Sequence, residues 1–275
     1  MKTNLLHYLL PKGGVVFRGR INPSFDLRFY ESKALSYNHY GEPKLWRANL
    51  PGQAVFYGTL LDVLCMQAEE RLYANIVCEI SDFFRTKDKL GFQIISLGCW
   101  EAKRDIRLVS FPLHDGFKDP STTLLSLDKQ WNQINGKTAY DDSKITEIAK
   151  LFASDFSMYA KSDPYVIASY KKTATFTHDL FEQNPDIDGI VYPCTRLDGN
   201  GIDVVLKPDV ADNDLVLSKI LILGLYKIEV GRSRLLPIEM CDDVSNGLVY
   251  SELKPEDLKE FNDNIKDFHL NYFDK

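Results

Sequence analysis

The chain has few residues of the kinds that make a metal centre or a disulfide framework. Its five cysteines, Cys65, Cys78, Cys99, Cys194 and Cys241, form no C-x-x-C pair and are odd in number. That argues against a disulfide framework and for a reducing, cytoplasmic compartment. The five histidines are scattered, with no H-x-x-x-H or Cys/His spacing of a zinc site. Gly13-Gly14 precedes a strand-like run, but no G-x-G-x-x-G and no Walker lysine follow, so no phosphate loop is read there. Long apolar runs are missing too. The opening Leu-Leu-His-Tyr-Leu-Leu is too short and interrupted for a signal peptide or a membrane span. Basic excess is also lacking: the net charge is -6, which excludes a general nucleic-acid footprint. An acidic protein that takes an anionic small molecule must do so with a few local arginines.

What is present is globular material, 44% hydrophobic and 26% charged over 275 residues. The stretch around which the reading is organised runs from Trp46 to Tyr57. Pro51-Gly52 is a turn signal, because proline presets one φ and glycine supplies a positive one. Ala54–Tyr57 reads as a half-buried strand, with Arg47 and Asn49 near one end and Tyr57 at the other. A held arginine clamps phosphate or carboxylate, and tyrosine offers a ring and a hydroxyl. A surface arginine beside an ordinary hairpin is the plainer alternative.

Val15-Val16-Phe17-Arg18-Gly19-Arg20 reads as a strand delivering two arginines, followed by a loop-rich excursion over 21–45. Asp62 to Glu79 has helical spacing; Glu69 and Glu70 read as solvated face, while Glu79 sits in an apolar run. Phe92–Leu97 and Ile106–Phe111 read as strands, and 112–142 as loop. Ser143–Lys161 is an amphipathic helix with Ile145, Ile148, Phe152, Phe156 and Tyr159 on one side, and Pro164–Phe181 a second helix. Gly189–Pro193 and Ile202–Leu206 flank Asp198-Gly199-Asn200-Gly201, a hairpin signal. Residues 218–229 add a strand, and 255–273 a helix of mixed charge. Strands early and late with helices between them give an α+β class, in one continuous domain over 1–275.

Phe17-Arg18, Arg47-Ala48-Asn49-Leu50-Pro51-Gly52 with Val55-Phe56-Tyr57-Gly58, and Asp188-Gly189-Ile190-Val191-Tyr192-Pro193 with Gly201-Ile202-Asp203-Val204-Val205-Leu206 together resemble the RES domain family. The likeness covers about residues 15–228 and leaves 229–275 as a C-terminal extension. It implies an ADP-ribosyltransferase-like fold, a split pair of small β-sheets with a cleft between them. It implies NAD+ as substrate, cleaved at the nicotinamide–ribose bond by hydrolysis or phosphorolysis, with no further cofactor. It implies a toxin-like protein of a toxin–antitoxin pair, with an antitoxin protein covering the active site. Arg18 and Arg47 match the two family arginines and Tyr57 the strand-end tyrosine. Glu79 fits the family glutamate best, with Glu69 as runner-up. Cys194 stands where the family has serine, and a thiol donates a hydrogen bond more weakly than a hydroxyl. On this resemblance Arg47, Tyr57 and Glu79 are catalytic, and Arg18, Arg47, Tyr57 and Cys194 bind NAD+. An ADP-ribosyltransferase acting on a protein or small-molecule acceptor, and a non-catalytic binding relative, are the alternatives.

Overall fold

The structure is a computed structural model. It describes residues 6–24, 28–60, 76–77, 80–81, 83, 86, 89–113, 116–117, 120–135, 142–158, 164–194, 199, 201–230, 232–244 and 247–252. Its strands are β1 (Leu6–Leu10), β2 (Val15–Ile21), β3 (Phe56–Leu60), β4 (Gly91–Ala102), β5 (Ile106–Ser110), β6 (Gly189–Pro193), β7 (Ile202–Leu206), β8 (Leu215–Glu229), β9 (Arg232–Cys241) and β10 (Ser251–Glu252). The helices described over their full length are α1 (Ser32–Leu35), α2 (Thr122–Asn135), α3 (Asp142–Phe156), α4 (Pro164–Gln183) and α5 (Pro208–Asp214). The class is α+β. None of the described helices is long and apolar enough to cross a membrane.

The ten strands hydrogen-bond in the order β1-β5-β6-β7-β3-β2-β4-β8-β9-β10. Every pairing is antiparallel except β5 with β6. A parallel pair needs a long crossover, and α2, α3 and α4 occupy that connection. At the centre, β3 pairs with β7 over five residues and β2 with β4 over seven. Between β2 and β3, however, only Val16↔Leu60 and Phe17↔Thr59 are in register. The sheet is therefore two wings joined by a two-rung seam. Gly58 makes the seam possible: a Cβ there would lie 2.4 Å from Val16 Cγ1 and 3.0 Å from the Phe17 carbonyl. Beyond Phe17 the strands part, and Arg18 stands in the fork.

Opposed residues of an antiparallel pair share a face, which sorts the side chains. Val16, Phe56, Leu60 and Trp100 face one way into the largest apolar cluster, with Leu35 of α1 over it. Tyr57, Val205, Ile190 and Tyr192 face the other way, beneath Ala153 and Phe156 of α3 and Leu180 of α4. Phe17, Leu97, Cys99 and Leu221 continue that second face, covered by Ile76 and Val77.

Several elements differ from the expectations. Residues 112–142 hold α2, whose Leu124, Leu127 and Trp131 are buried at helical spacing. Ser, Thr, Asn and Gln around those three residues hide the period. In α3 the buried side is Ala153 and Phe156, with Phe152 packed against their cluster, whereas Ile148 is 54% exposed. The strand after the Pro-Gly turn begins at Phe56 and runs on to Leu60, so Tyr57 lies at its near end. The 62–75 part of the expected helix and the 255–273 tail lie outside the described residues. The β6–β7 hairpin pairs from Gly189↔Leu206 to Pro193↔Ile202. Cys99, Cys194 and Cys241 are buried free thiols.

One polar tie holds the β4–β5 turn to the entry of β6. Arg104 donates to both Asp188 oxygens, at 2.7 and 2.8 Å, and to Asp214 at 2.7 Å. Asp188 also accepts from the Arg107 backbone N–H at 2.7 Å. Burial works against the Asp188 charge, but Arg104 and the Arg107 amide outweigh it and leave its pKa below the ordinary value. A depressed carboxylate pKa contributes stability above the unfolded value, about 3.9, and loses it as pH falls through the folded value. Asp188→Asn is expected to lower unfolding free energy at neutral pH by about 1–3 kcal/mol. It should also flatten the acid limb of stability below about pH 4, read by denaturant titration across pH.

Candidate functional site

The site grows from the 46–53 loop. The Trp46 N–H donates to the Asn49 carbonyl at 3.1 Å, and the Gln53 N–H to the Leu50 carbonyl at 3.1 Å. With Pro51 first and Gly52 at φ 79° second, residues 50–53 form the expected type II turn. The chain enters β3 and Tyr57 points back at the loop. Its hydroxyl accepts from the Ala48 N–H at 2.9 Å and donates to Asn49 Oδ1 at 2.9 Å. Asn49 Nδ2 in turn donates to the Lys44 carbonyl at 2.8 Å. Burial raises the Tyr57 pKa, against the opposing pull of the Ala48 amide and Arg47. The hydroxyl therefore stays protonated and serves as a brace.

Arg47 is buried, with 6% of its surface exposed. Its Nη2 donates to the Met158 carbonyl and to the Tyr170 hydroxyl, each at 3.2 Å. Its guanidinium carbon lies 5.6 Å from the Tyr170 ring centroid and 5.4 Å from that of Tyr192. Burial opposes the charge, but Tyr192, Tyr170 and Asp203 outweigh it and hold the pKa above the ordinary value. Asp203 is itself buried in β7 and accepts from Thr59 Oγ1 at 2.9 Å. Arg47 thus stitches the loop to the region between α3 and α4.

Arg18 lies on the opposite face. Its Nε donates to the Ser36 carbonyl at 2.9 Å, its Nη1 to the Tyr57 carbonyl, and its guanidinium covers the Phe56 ring at 5.2 Å. Arg20 Nη2 donates to the same Ser36 carbonyl at 2.8 Å. Two cations thus share one acceptor, and neither meets a carboxylate among the described residues. Burial first, and then the like charge of Arg20, press the Arg18 pKa down to about 9. A paired, partly desolvated cation without a counter-charge is chemically disposed to take an anion.

The predicted residues are therefore brought together in part. Arg18, Arg47 and Tyr57 meet around one strand residue: the Tyr57 carbonyl takes Arg18, and its hydroxyl holds the loop of Arg47. The arginines occupy opposite faces, so they do not form one two-armed clamp. Cys194 is fully buried at the loop end of the β6–β7 hairpin, where its N–H donates to the Gly201 carbonyl and its carbonyl accepts from the Gly199 N–H, each at 3.1 Å. By strand register it lies four residues along and two strands across from Tyr57, roughly 13 Å along the strands and roughly 10 Å across them. Glu79 and Glu69 lie outside the described residues. Tyr192 packs in the core beneath the helices and also faces Arg47. Ser36, Tyr170 and Asp203 were not anticipated. Only Asp203 carried a sequence signal, a carboxylate inside the apolar run Ile-Asp-Val-Val-Leu.

The chain matches no protein-family model and no curated protein.

Removing the Tyr57 hydroxyl leaves the Ala48 amide without its acceptor. Tyr57→Phe is expected to cost about 1–3 kcal/mol of stability, measured by urea unfolding, without changing the content of secondary structure by circular dichroism.

Proposed function

We propose that this protein consumes NAD+ by cleaving the nicotinamide–ribose bond, as a glycohydrolase or a phosphorylase of RES-like type. The observation that carries the reading is Arg18. It is a half-buried guanidinium in the fork between two wings of the sheet, beside Arg20, with no carboxylate partner among the described residues. A diphosphate supplies the missing negative charge. The two-rung seam supports the finer description of the fold as an ADP-ribosyltransferase-like split sandwich.

In the proposed reaction the C1′–N bond breaks and its electron pair passes to the pyridinium nitrogen, so nicotinamide leaves neutral. The ribose becomes oxocarbenium-like. A carboxylate beside it stabilises the developing charge, the part assigned to Glu79. Water adds at C1′ and loses a proton to give ADP-ribose; phosphate adding there gives ADP-ribose 1″-phosphate. Arg47 and Tyr57 act in this reading as positioning residues. Arg47 braces the 46–50 loop against the residues between α3 and α4, and Tyr57 joins that loop to the strand that meets Arg18. The resemblance also supports a toxin-like role in the cytoplasm, with an antitoxin protein as partner.

The test is nicotinamide release from NAD+ by the purified chain, with and without phosphate. Wild type is expected to release nicotinamide. Arg18→Ala and Glu79→Gln should each cut the rate by about 100-fold or more. Undiminished turnover in both variants, or no release by wild type in either buffer, overturns the reading. Transfer of label from NAD+ to an added protein, with little free ADP-ribose, would replace it with ADP-ribosyl transfer.

A further inference from the structure

Arg18 and Arg20 alternate with Gly19 in β2, so both stand on the face that Val16 buries. Beyond Phe17 that face has lost β3 as its neighbour; the register of the seam, carried on, would set Arg20 opposite Phe56. The two guanidinium groups converge on one acceptor instead. The Ser36 carbonyl takes Arg18 Nε at 2.9 Å and Arg20 Nη2 at 2.8 Å. Ser36 is the C-cap of α1, where a carbonyl has no partner inside the helix. A single arginine satisfies such a cap. Two cations drawn to one neutral oxygen repel each other, which capping alone does not call for.

Arg18 spends a further nitrogen, Nη1, on the Tyr57 carbonyl, which leaves Nη2; Arg20 keeps Nη1. Arg20 Nε is enclosed and takes no part. Both side chains are half-buried and keep surface open to solvent. Neither meets a carboxylate among the described residues. The other arginine of the 46–53 loop is no substitute, because Arg47 is held on the opposite face by Met158 and Tyr170. One guanidinium suffices to grip one phosphoryl group. Two of them, yoked by a common oxygen, match two phosphoryl groups that are themselves joined through one bridging oxygen.

We propose that Arg20 is the second arm of a diphosphate clamp with Arg18, and that the site therefore selects linked phosphates over single ones. The proposal rests on the reading of Arg18 as the anion-binding residue and adds what that site recognises. Cleavage at C1′ leaves the diphosphate intact, so NAD+ and ADP-ribose present the same group to the clamp. ADP presents it as well. Each of these competes with NAD+, whereas AMP and nicotinamide mononucleotide, with one phosphate each, compete far less.

Calorimetric titration of the full chain with pyrophosphate and with orthophosphate tests it. Wild type is expected to bind pyrophosphate about 10-fold or more tightly than orthophosphate. Arg20→Ala should weaken pyrophosphate by about 10-fold while leaving orthophosphate within about 2-fold, so that the preference is lost. Arg20→Gln keeps an N–H for the Ser36 carbonyl and removes the charge; it should lose the preference too. A role confined to capping α1 would survive in Arg20→Gln and would leave the preference intact. In the turnover assay Arg20→Ala should raise KM more than it lowers kcat. Equal affinity of wild type for the two anions overturns the clamp, as does a preference retained in a folded Arg20→Ala or Arg20→Gln chain. A preference that depends on Arg20, in a chain that never releases nicotinamide, upholds the clamp and removes the proposed reaction. Nicotinamide release with KM unchanged in Arg20→Gln keeps the reaction and removes the clamp.

Discussion

The feature on which the rest depends is the place where β2 and β3 stop pairing. A sheet this wide could have zipped these strands along their full length. Instead they share two rungs at Val16 and Phe17, with Gly58 removing the side chain that would collide there. Past that point a guanidinium takes over from backbone hydrogen bonding. Arg18 reaches across the fork to the Tyr57 carbonyl and back to Ser36. A charge held in that position costs desolvation energy, and Arg20 beside it adds like-charge repulsion. An arrangement so placed is stabilised by any anion that arrives.

The two faces of the sheet then do different work. On one, Arg47 is consumed by structure. Its bonds to Met158 and Tyr170 anchor the 46–50 loop to the residues between α3 and α4, and the Tyr57 hydroxyl locks that loop onto β3. On the other, Arg18 and Arg20 share the Ser36 carbonyl and meet no carboxylate among the described residues. Tyr57 links the two, since one residue bonds through its hydroxyl on the first face and through its carbonyl toward the second. Disturbing the packing of Arg47 would therefore reach Arg18 without any direct contact between the arginines.

The parts of this arrangement legible in the sequence were the local ones. Pro51-Gly52 specified its turn because proline and glycine restrict φ independently of context. The β6–β7 hairpin was readable because two β-rich runs flanked a glycine-rich turn, and β8 because its apolar run was the length of a buried strand. The α2 helix was missed because Leu124, Leu127 and Trp131 are few among polar neighbours, and only the sheet beneath them makes those three sufficient. Ile148 was assigned to the wrong side of its helix for a related reason. A periodic pattern identifies a helix, but its rotation is settled by which residues find a partner surface.

The sequence by itself determined the α+β class, the strands that carry Arg18 and Tyr57, the turn before β3 and the scarcity of metal-ligand patterns. These follow from backbone preferences and from local alternation of apolar residues. Only the tertiary structure decided that Arg18 and Arg47 lie on opposite faces, that Cys194 sits at the loop end of a hairpin away from them, and that Arg18 and Arg20 share the Ser36 carbonyl. Those outcomes depend on strand order and register, through which residues far apart in the chain become neighbours. No local preference encodes which strands will pair, or where two of them will part.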